Sequence, residues 1–286
     1  MIRMLAFVAC GTRTIIDATF GTPSVGETTC TLDLLRAVRP GMIVLADRNF
    51  AAQGLIAAIA ANGADLLVRV KNGRNLPVWR RLPDGSYVSR IGRVEVRVLR
   101  AELTIATSAS RRSEVYRLTT VVDPDCPASE IIRLYHDRWE IETAFLELKQ
   151  TILGGRVLRA RTPGGVDQEI YALLVIYQAL RIAICDATIA RPDVDPDRAS
   201  FTVALGAARD QLVKAAGVIA DTTIDLVGVI GRHVLDNLMP ARRLRTTPRV
   251  VKRAISMYVA STARDRARGP ALQANITIKI LADSDP

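Results

Sequence analysis

The chain has 286 residues, of which 49% are apolar and 24% charged, and this balance excludes a mainly disordered protein. It carries 39 Lys and Arg against 29 Asp and Glu, for a formal net charge of +10. A surplus of that size favours a polyanionic partner, and nucleic acid before a membrane surface. Four widely spaced cysteines without a CxxC pair are typical of reduced thiols rather than of a disulfide framework or a zinc site.

Residues 1–70 alternate between strand and helix signals, which predicts an α/β sheet. Two β-rich runs joined by Gly11-Thr12-Arg13 indicate a hairpin. The continuous apolar run Ile43 to Ala46 predicts a strand buried on both faces, and it ends abruptly at Asp47. We expect two helices and a second buried strand in this part as well: Gly26 to Val38, Ala51 to Ala61 and Ala64 to Val70.

Short strands separated by turn residues replace the helical signal between residues 71 and 124. From Pro127 onward nearly everything is helical, beginning with a helix that runs to about Leu153. The apolar stretch Ala172 to Ala190 contains Arg181 and Asp186, which favours a buried helix over a membrane span. With no signal-peptide pattern at the N-terminus, we expect a cytoplasmic protein. Three further helices are predicted: Pro163 to Ile189, Phe201 to Ala216 and Ile224 to Leu238.

One polar stripe lies on the helix predicted from Pro127 to Leu153. On a helical wheel Tyr135, Arg138, Glu142 and Lys149 fall within about 60° of one another, beside an apolar face. The same wheel turns Glu140, together with Glu147, towards solvent. A surface helix with an Arg138–Glu142 ion pair would explain the stripe, and so would a functional site; the wheel alone names no reaction.

The spacing Tyr135–x2–Arg138–x3–Glu142–x6–Lys149 resembles the Y-R-E-K signature of the IS-four family of bacterial insertion-sequence transposases. Leu45 to Phe50 (LADRNF) is similar to the family segment that holds the second catalytic acid. Leu82 to Tyr87 (LPDGSY) is similar to part of the family's insertion. Leu158 to Glu169 resembles the segment after the signature helix. The resemblance implies a DDE enzyme with an RNase H-like core.

That family arrangement divides the chain into five parts. We expect an RNase H-like core that lacks its first strand, a β-rich insertion, a signature helix that completes the core, a C-terminal helical region and a basic tail. Their ranges are 1–70, 71–124, 125–155, 156–240 and 241–286.

The resemblance implies that Asp47 and Glu142 are catalytic acids. Together they would bind Mg²⁺ or Mn²⁺, because phosphodiester cleavage and strand transfer use divalent ions held by carboxylates. Tyr135, Arg138 and Lys149 would contact DNA phosphates beside the metal. The alternative for Asp47 is an N-cap of the helix that follows it.

Two further features point to DNA more weakly. Trp79 in the insertion would stack on a flipped base, as insertion aromatics do in related transposases, or would simply pack within the insertion. Residues 232–268 hold ten Lys and Arg against two Asp, which is typical of a DNA-backbone contact or of a solvated cationic tail.

The first catalytic aspartate of the family has no counterpart, because Asp17 and Asp33 precede Asp47 at positions unlike the family's. We therefore expect an N-terminally truncated transposase that binds transposon ends and target DNA but cleaves poorly. The alternatives are a non-catalytic DNA-binding remnant and an inhibitor of an intact transposase. We also expect the chain to form a homodimer or to associate with the full-length enzyme, and not to bind membranes.

Overall fold

The computed structural model describes residues 2–22, 24–70, 74, 76–107, 111–218, 226–240 and 274–281. The chain forms two compact units, each built from two separate stretches. The first unit comprises Met1–Asp65 and Leu134–Arg242, and the second comprises Leu66–Arg133 and Arg243–Pro286. Helices and strands occur in both units, so the mixed α/β class predicted from the sequence is confirmed.

The first unit begins with the predicted hairpin. Strands β1 (Arg3–Val8) and β2 (Ile15–Gly21) pair antiparallel, and Arg13 in the turn between them has a φ of 57°. Such a positive φ is uncommon for a residue other than glycine and occurs mainly in tight turns. The unit continues through α1 (Glu27–Leu34), β3 (Ile43–Ala46), α2 (Gln53–Ala61), α4 (Glu140–Leu146), α5 (Pro163–Ile189), α6 (Phe201–Val213) and α7 (Leu226–Asp236).

The local sequence explains where α5 and α6 begin. Thr162 caps α5 by accepting a hydrogen bond from the Gly165 N–H at 3.2 Å, and Pro163 occupies the first turn, where no N–H is required. Ser200 caps α6 in the same way. The α5 helix has the predicted bounds, and its inner face forms most of the core with α6, α7 and the end of α4. The buried residues of this core are Ala144, Leu148, Tyr177, Leu180, Ala183, Ile184, Ala199, Phe201, Ala204, Leu205, Ala207, Ile230 and Val234.

One described helix, α5, is long and apolar enough to cross a membrane by length and composition alone. Core helices meet the same criterion. The guanidinium of Arg181, in the middle of α5, is 2% exposed and paired with Glu147, while Tyr177 and Ile184 are buried in the core. These contacts indicate that α5 is a core helix of its unit.

The burial predicted for β3 is wrong. Ile43 is 43% exposed, and the other residues of the strand are only half-buried. By contrast, β4 (Asp65–Arg69) has the predicted buried run, because Leu67 and Val68 are fully buried.

The second unit is an antiparallel sheet in which β4, β8, β7, β6 and β5 are neighbours in that order. The strands are β5 (Arg80–Arg81), β6 (Tyr87–Ile91), β7 (Val94–Thr107) and β8 (Arg111–Thr120), and α3 (Ala128–Leu134) follows them. The sequence predicts two short strands within 94–106, whereas β7 is one long strand. The sequence also predicts a short strand at Pro77 to Trp79, but residues 76–79 of the described chain form no strand.

The sequence analysis missed strand β9 (Ala274–Ile280), which pairs antiparallel with β7 from Ala101 to Thr107. It lies within the range predicted to be a basic tail. Of the basic stretch, residues 232–268, the part from residue 241 onward lies outside the described residues. A strand at the end of a chain is hard to recognise because its pairing partner is far away in sequence.

A buried arginine holds the second unit together. The side chain of Arg97 is fully buried, and each of its nitrogens donates a hydrogen bond. Nε donates to Ser86 Oγ at 2.9 Å, Nη1 donates to the carbonyls of Asp123 and Cys126, and Nη2 donates to Asp84. Asp84 also accepts from the N–H of Ala128 at the start of α3. The Asp and Ser of the LPDGSY segment thus connect the turn before β6 to the start of α3.

We predict that Asp84→Asn destabilises the protein in a pH-dependent way. Burial raises the pKa of Asp84, but hydrogen bonds from Ser86 and Ala128 and the charge of Arg97 outweigh it, so that the pKa is lowered overall. The ionised carboxylate therefore stabilises the fold above the unfolded pKa of about 3.9, and this contribution is lost as the pH falls through the folded pKa. We expect a loss of roughly 1.5–3 kcal/mol at pH 7 that shrinks towards pH 3, measured by urea unfolding.

The control for this experiment is Glu95→Gln, which neutralises an exposed acid of the same unit. Its unfolding free energy should stay within about 0.5 kcal/mol of the native value. An equal loss for Asp84→Asn at pH 7 and pH 3 would show that the ionised carboxylate is not what stabilises this turn.

Candidate functional site

Asp47 follows β3 and begins a single 3₁₀ turn, Arg48–Phe50. Its Oδ1 accepts a hydrogen bond from the Arg48 N–H at 2.6 Å, so Asp47 caps this turn, whereas the N-cap of α2, the alternative predicted for Asp47, is Ala52. The cap serves this short turn rather than α2. The residue is exposed, and Oδ2 accepts no hydrogen bond within the described residues. One carboxylate oxygen therefore remains available at the end of the strand.

The signature segment, Tyr135 to Ile152, carries the Y-R-E-K residues and is not one continuous α-helix. After α3 the chain forms a 3₁₀ turn at Tyr135–Trp139, returns to α geometry in α4, and ends in a π-helical turn at Glu147–Ile152. A 3₁₀ helix turns about 120° per residue and an α-helix about 100°. Side chains before and after the 3₁₀ turn are therefore rotated away from where a single wheel places them.

This rotation explains why the predicted positions of Glu140 and Glu147 are wrong. Both residues are buried, at 5% and 8% exposure, instead of facing solvent. Glu140 accepts a hydrogen bond from the Gly11 N–H at 2.6 Å, and burial raises the pKa of its carboxyl group. The spacing of the two acids in the sequence indicates only that they share an environment. They are seven residues apart and therefore lie on the same helix face.

The hydroxyl of Tyr135 donates a hydrogen bond to the carbonyl oxygen of Ala46 at 3.2 Å. Ala46 is the last residue of β3, and Asp47 follows it directly. The hydrogen bond therefore holds the start of the signature segment beside the strand end that carries Asp47. Both partners belong to the first unit.

Arg138 contacts two other members of the polar stripe, Glu142 and Tyr135. Arg138 Nη1 lies 3.9 Å from Glu142 Oε1, and its guanidinium carbon lies 5.7 Å from the centre of the Tyr135 ring. The same carbon lies 5.2 Å from the Trp139 ring. Arg138 Nε is buried and makes no hydrogen bond within the described part of the chain. The side chain of Glu142 is 39% exposed, so this cluster combines a held cation with an accessible carboxylate.

Lys149 and Trp79 lie outside that cluster. Lys149 is exposed, and its Nζ lies 5.1 Å from the ring centre of Phe145 in the preceding turn. Trp79 belongs to the second unit, is 56% exposed, and has the guanidinium of Arg90 over its ring at 5.1 Å. The predicted packing of Trp79 within the insertion is thus limited to one face of the ring.

Asp17 and Asp33, the two aspartates upstream of Asp47, have partners of their own. Asp17 forms a two-pronged ion pair with Arg36 at 2.7 and 2.8 Å, and this hydrogen bonding lowers its pKa. Asp33 accepts from Thr19 Oγ1 at 3.4 Å. Among the described residues, no group of three or more His, Cys, Asp or Glu side chains is arranged to hold a metal ion.

Comparison with known proteins identifies the family. A model of the transposase DDE domain matches residues 2–179, which include β3, Asp47 and the entire signature segment. The chain belongs to the DDE transposases. It is also 25% identical over 262 residues to Transposase InsG for insertion sequence element IS4 of Escherichia coli (strain K12). The predicted membership of the IS-four family is thereby confirmed.

The match to the Escherichia coli relative covers 88% of this chain and 59% of that protein. This DDE transposase chain therefore spans less than two thirds of the length of the relative. The described residues show a mixed α/β architecture, and the RNase H-like arrangement stays a prediction.

We predict that Tyr135→Phe lowers the free energy of unfolding by about 1 kcal/mol, because the Ala46 carbonyl loses its side-chain hydrogen bond. Chemical denaturation of the purified protein measures this change. Tyr171→Phe is the matched control, since Tyr171 is 59% exposed on α5. Equal losses in the two variants would contradict a specific role for the Tyr135 hydroxyl.

Proposed function

We propose that this chain binds the ends of an insertion sequence and cleaves and joins DNA there in a metal-dependent reaction. The observation that supports the proposal is the hydrogen bond from Tyr135 to the carbonyl of Ala46, because it joins the start of the signature segment to the residue directly before Asp47. Membership of the DDE transposases supports the type of reaction.

We propose that Asp47 and Glu142 hold a divalent cation, Mg²⁺ or Mn²⁺. The donor set fits such an ion: both side chains are carboxylates, one exposed and one partly exposed, and Asp47 Oδ2 is available. Magnesium prefers oxygen ligands and is commonly held by one or two carboxylates together with phosphate oxygens and waters. A cation held by Asp47 and Glu142 would supply activation of an attacking oxygen and charge stabilisation of the leaving oxygen.

The cations of the signature segment are proposed to hold DNA phosphates. The guanidinium of Arg138 contacts Glu142 and two aromatic rings. This planar group is therefore already oriented before DNA binds. Its Nε–H, which has no hydrogen-bond acceptor among the described residues, would donate to a phosphate oxygen once it is uncovered. Lys149 adds a point charge on an exposed turn. Tyr135 positions the strand end, and Trp79 offers an exposed ring face on which a base would stack.

The partners follow from this chemistry. The net charge of +10 supports binding of transposon ends and target DNA through the phosphate backbone. A homodimer, or association with a full-length transposase, would bring two such sites to one DNA complex. We place the protein in the cytoplasm, where bacterial DNA is found.

Plasmid nicking tests the reaction. We predict that the purified chain relaxes supercoiled DNA slowly with Mg²⁺ or Mn²⁺, and that Asp47→Asn or Glu142→Gln reduces the rate to background. Glu27→Gln, which neutralises a glutamate at the start of α1, should keep the native rate. Unchanged nicking by Glu142→Gln would contradict the assignment. DNA binding without nicking by the native chain would favour a non-catalytic DNA-binding transposase or an inhibitor.

DNA affinity tests the phosphate contacts separately. We predict that Arg138→Ala and Lys149→Ala each weaken binding of a labelled duplex and lower the salt-dependence slope by about 1, because each removes one phosphate contact. Fluorescence anisotropy at several salt concentrations measures both quantities. Arg209→Ala, an exposed cation on α6, is the control. If all three variants lose affinity equally, the effect is one of net charge and not of this segment.

A further inference from the structure

A buried cluster of charges lies on the other side of the signature segment from Glu142. Glu147, in the π-helical turn, pairs with Arg181 on α5, and their side chains are 11% and 2% exposed. Arg181 Nε donates to the hydroxyl of Tyr177 at 3.3 Å, which in turn donates to the carbonyl of Arg13 at 2.8 Å. Burial opposes the charge of Arg181, but the carboxylate of Glu147 outweighs it and raises the pKa of the guanidinium.

The hairpin turn between β1 and β2 supplies a second cation to this cluster. The side chain of Arg13 is 4% exposed, its Nη1 lies 4.0 Å from Glu147 Oε1, and its Nη2 pairs with Asp197. The carboxylate of Glu147 therefore lies between two guanidinium groups, one from the hairpin and one from α5. Glu140, seven residues before Glu147 and on the same helix face, accepts from the N–H of Gly11 in the same hairpin turn.

Stability alone does not account for this arrangement. Removing two charges from water costs free energy that their attraction often fails to recover, and apolar side chains of similar size would pack there as well or better. Ion pairs do, however, fix direction, because a carboxylate held between two guanidinium groups has few alternative positions. Since Glu147 belongs to the signature segment, fixing its side chain fixes the rotation of that segment about its own axis.

We infer that Arg13, Glu147 and Arg181 are positioning residues, which set the rotation of the signature segment and with it the direction of the Glu142 side chain. Glu142 lies five residues before Glu147, and Lys149 lies two residues after it. The buried ion pair of Glu147 is therefore between them along the segment. The π-helical turn begins at Glu147. Single π-helical turns within α-helices are frequent at functional sites.

The inference rests on the proposed metal site, so the experiment begins by testing that site. Mn²⁺ alone is titrated into the full chain and bound ion is measured by electron paramagnetic resonance. Native protein should bind Mn²⁺, and Asp47→Asn and Glu142→Gln should each weaken binding. If neither variant changes the affinity, the proposed metal site is wrong and the inference is wrong with it.

The deciding variant replaces the ion pair by apolar residues, Glu147→Leu with Arg181→Met. We expect a urea midpoint equal to or above the native one, and Mn²⁺ affinity reduced about 10- to 100-fold, as is common when residues that orient metal ligands are lost. A purely structural role predicts that affinity follows stability. Native Mn²⁺ affinity in a stable double variant would therefore overturn the inference.

A second comparison decides the question if the double variant does not fold. Arg181→Lys keeps the buried charge but cannot bond Glu147 and Tyr177 together as the guanidinium does. Ile184→Val removes one methyl group from the same core on the same helix. Weaker Mn²⁺ binding by Arg181→Lys and native binding by Ile184→Val support positioning, whereas equal affinities overturn it.

Discussion

The candidate site depends on how one interrupted helical segment is held at two places. At its start, the Tyr135 hydroxyl bonds the carbonyl of Ala46 and fixes the segment against β3. Near its end, Glu147 lies between Arg13 and Arg181. One contact fixes a position and the other fixes a rotation. Glu142 lies between them, so its direction is determined at both ends.

The two kinds of contact differ in what they contribute to stability. The hydrogen bond from Tyr135 is partly buried and joins neutral groups, so its net contribution is modest. The charges around Glu147 are almost fully buried, where desolvation is expensive and geometry must be good. Orientation of an acid and a lysine on the same segment is a physical role that would justify such an expensive arrangement.

In the second unit, a single buried arginine likewise joins segments that are distant in the chain. Arg97 uses all of its nitrogens to bind the turn at Asp84 and Ser86 and the carbonyls of Asp123 and Cys126, just before α3. The LPDGSY segment, which carries part of the family resemblance, therefore has a structural function in this chain. The same chain continues from α3 into the signature segment.

The sequence by itself determined the mixed α/β class, the hairpin, the bounds of α5, the family and the contact of Arg138 with Glu142. These features depend on residues close together in the chain, or on a fixed spacing along one helix. Only the tertiary structure showed β9, the exposure of β3 and the burial of Glu140 and Glu147. Pairing partners far along the chain decide whether a strand forms and how much of it is covered. The change from 3₁₀ to α to π geometry shifts side chains away from an ideal wheel, and packing against α5 and the hairpin turn determines which acids are buried.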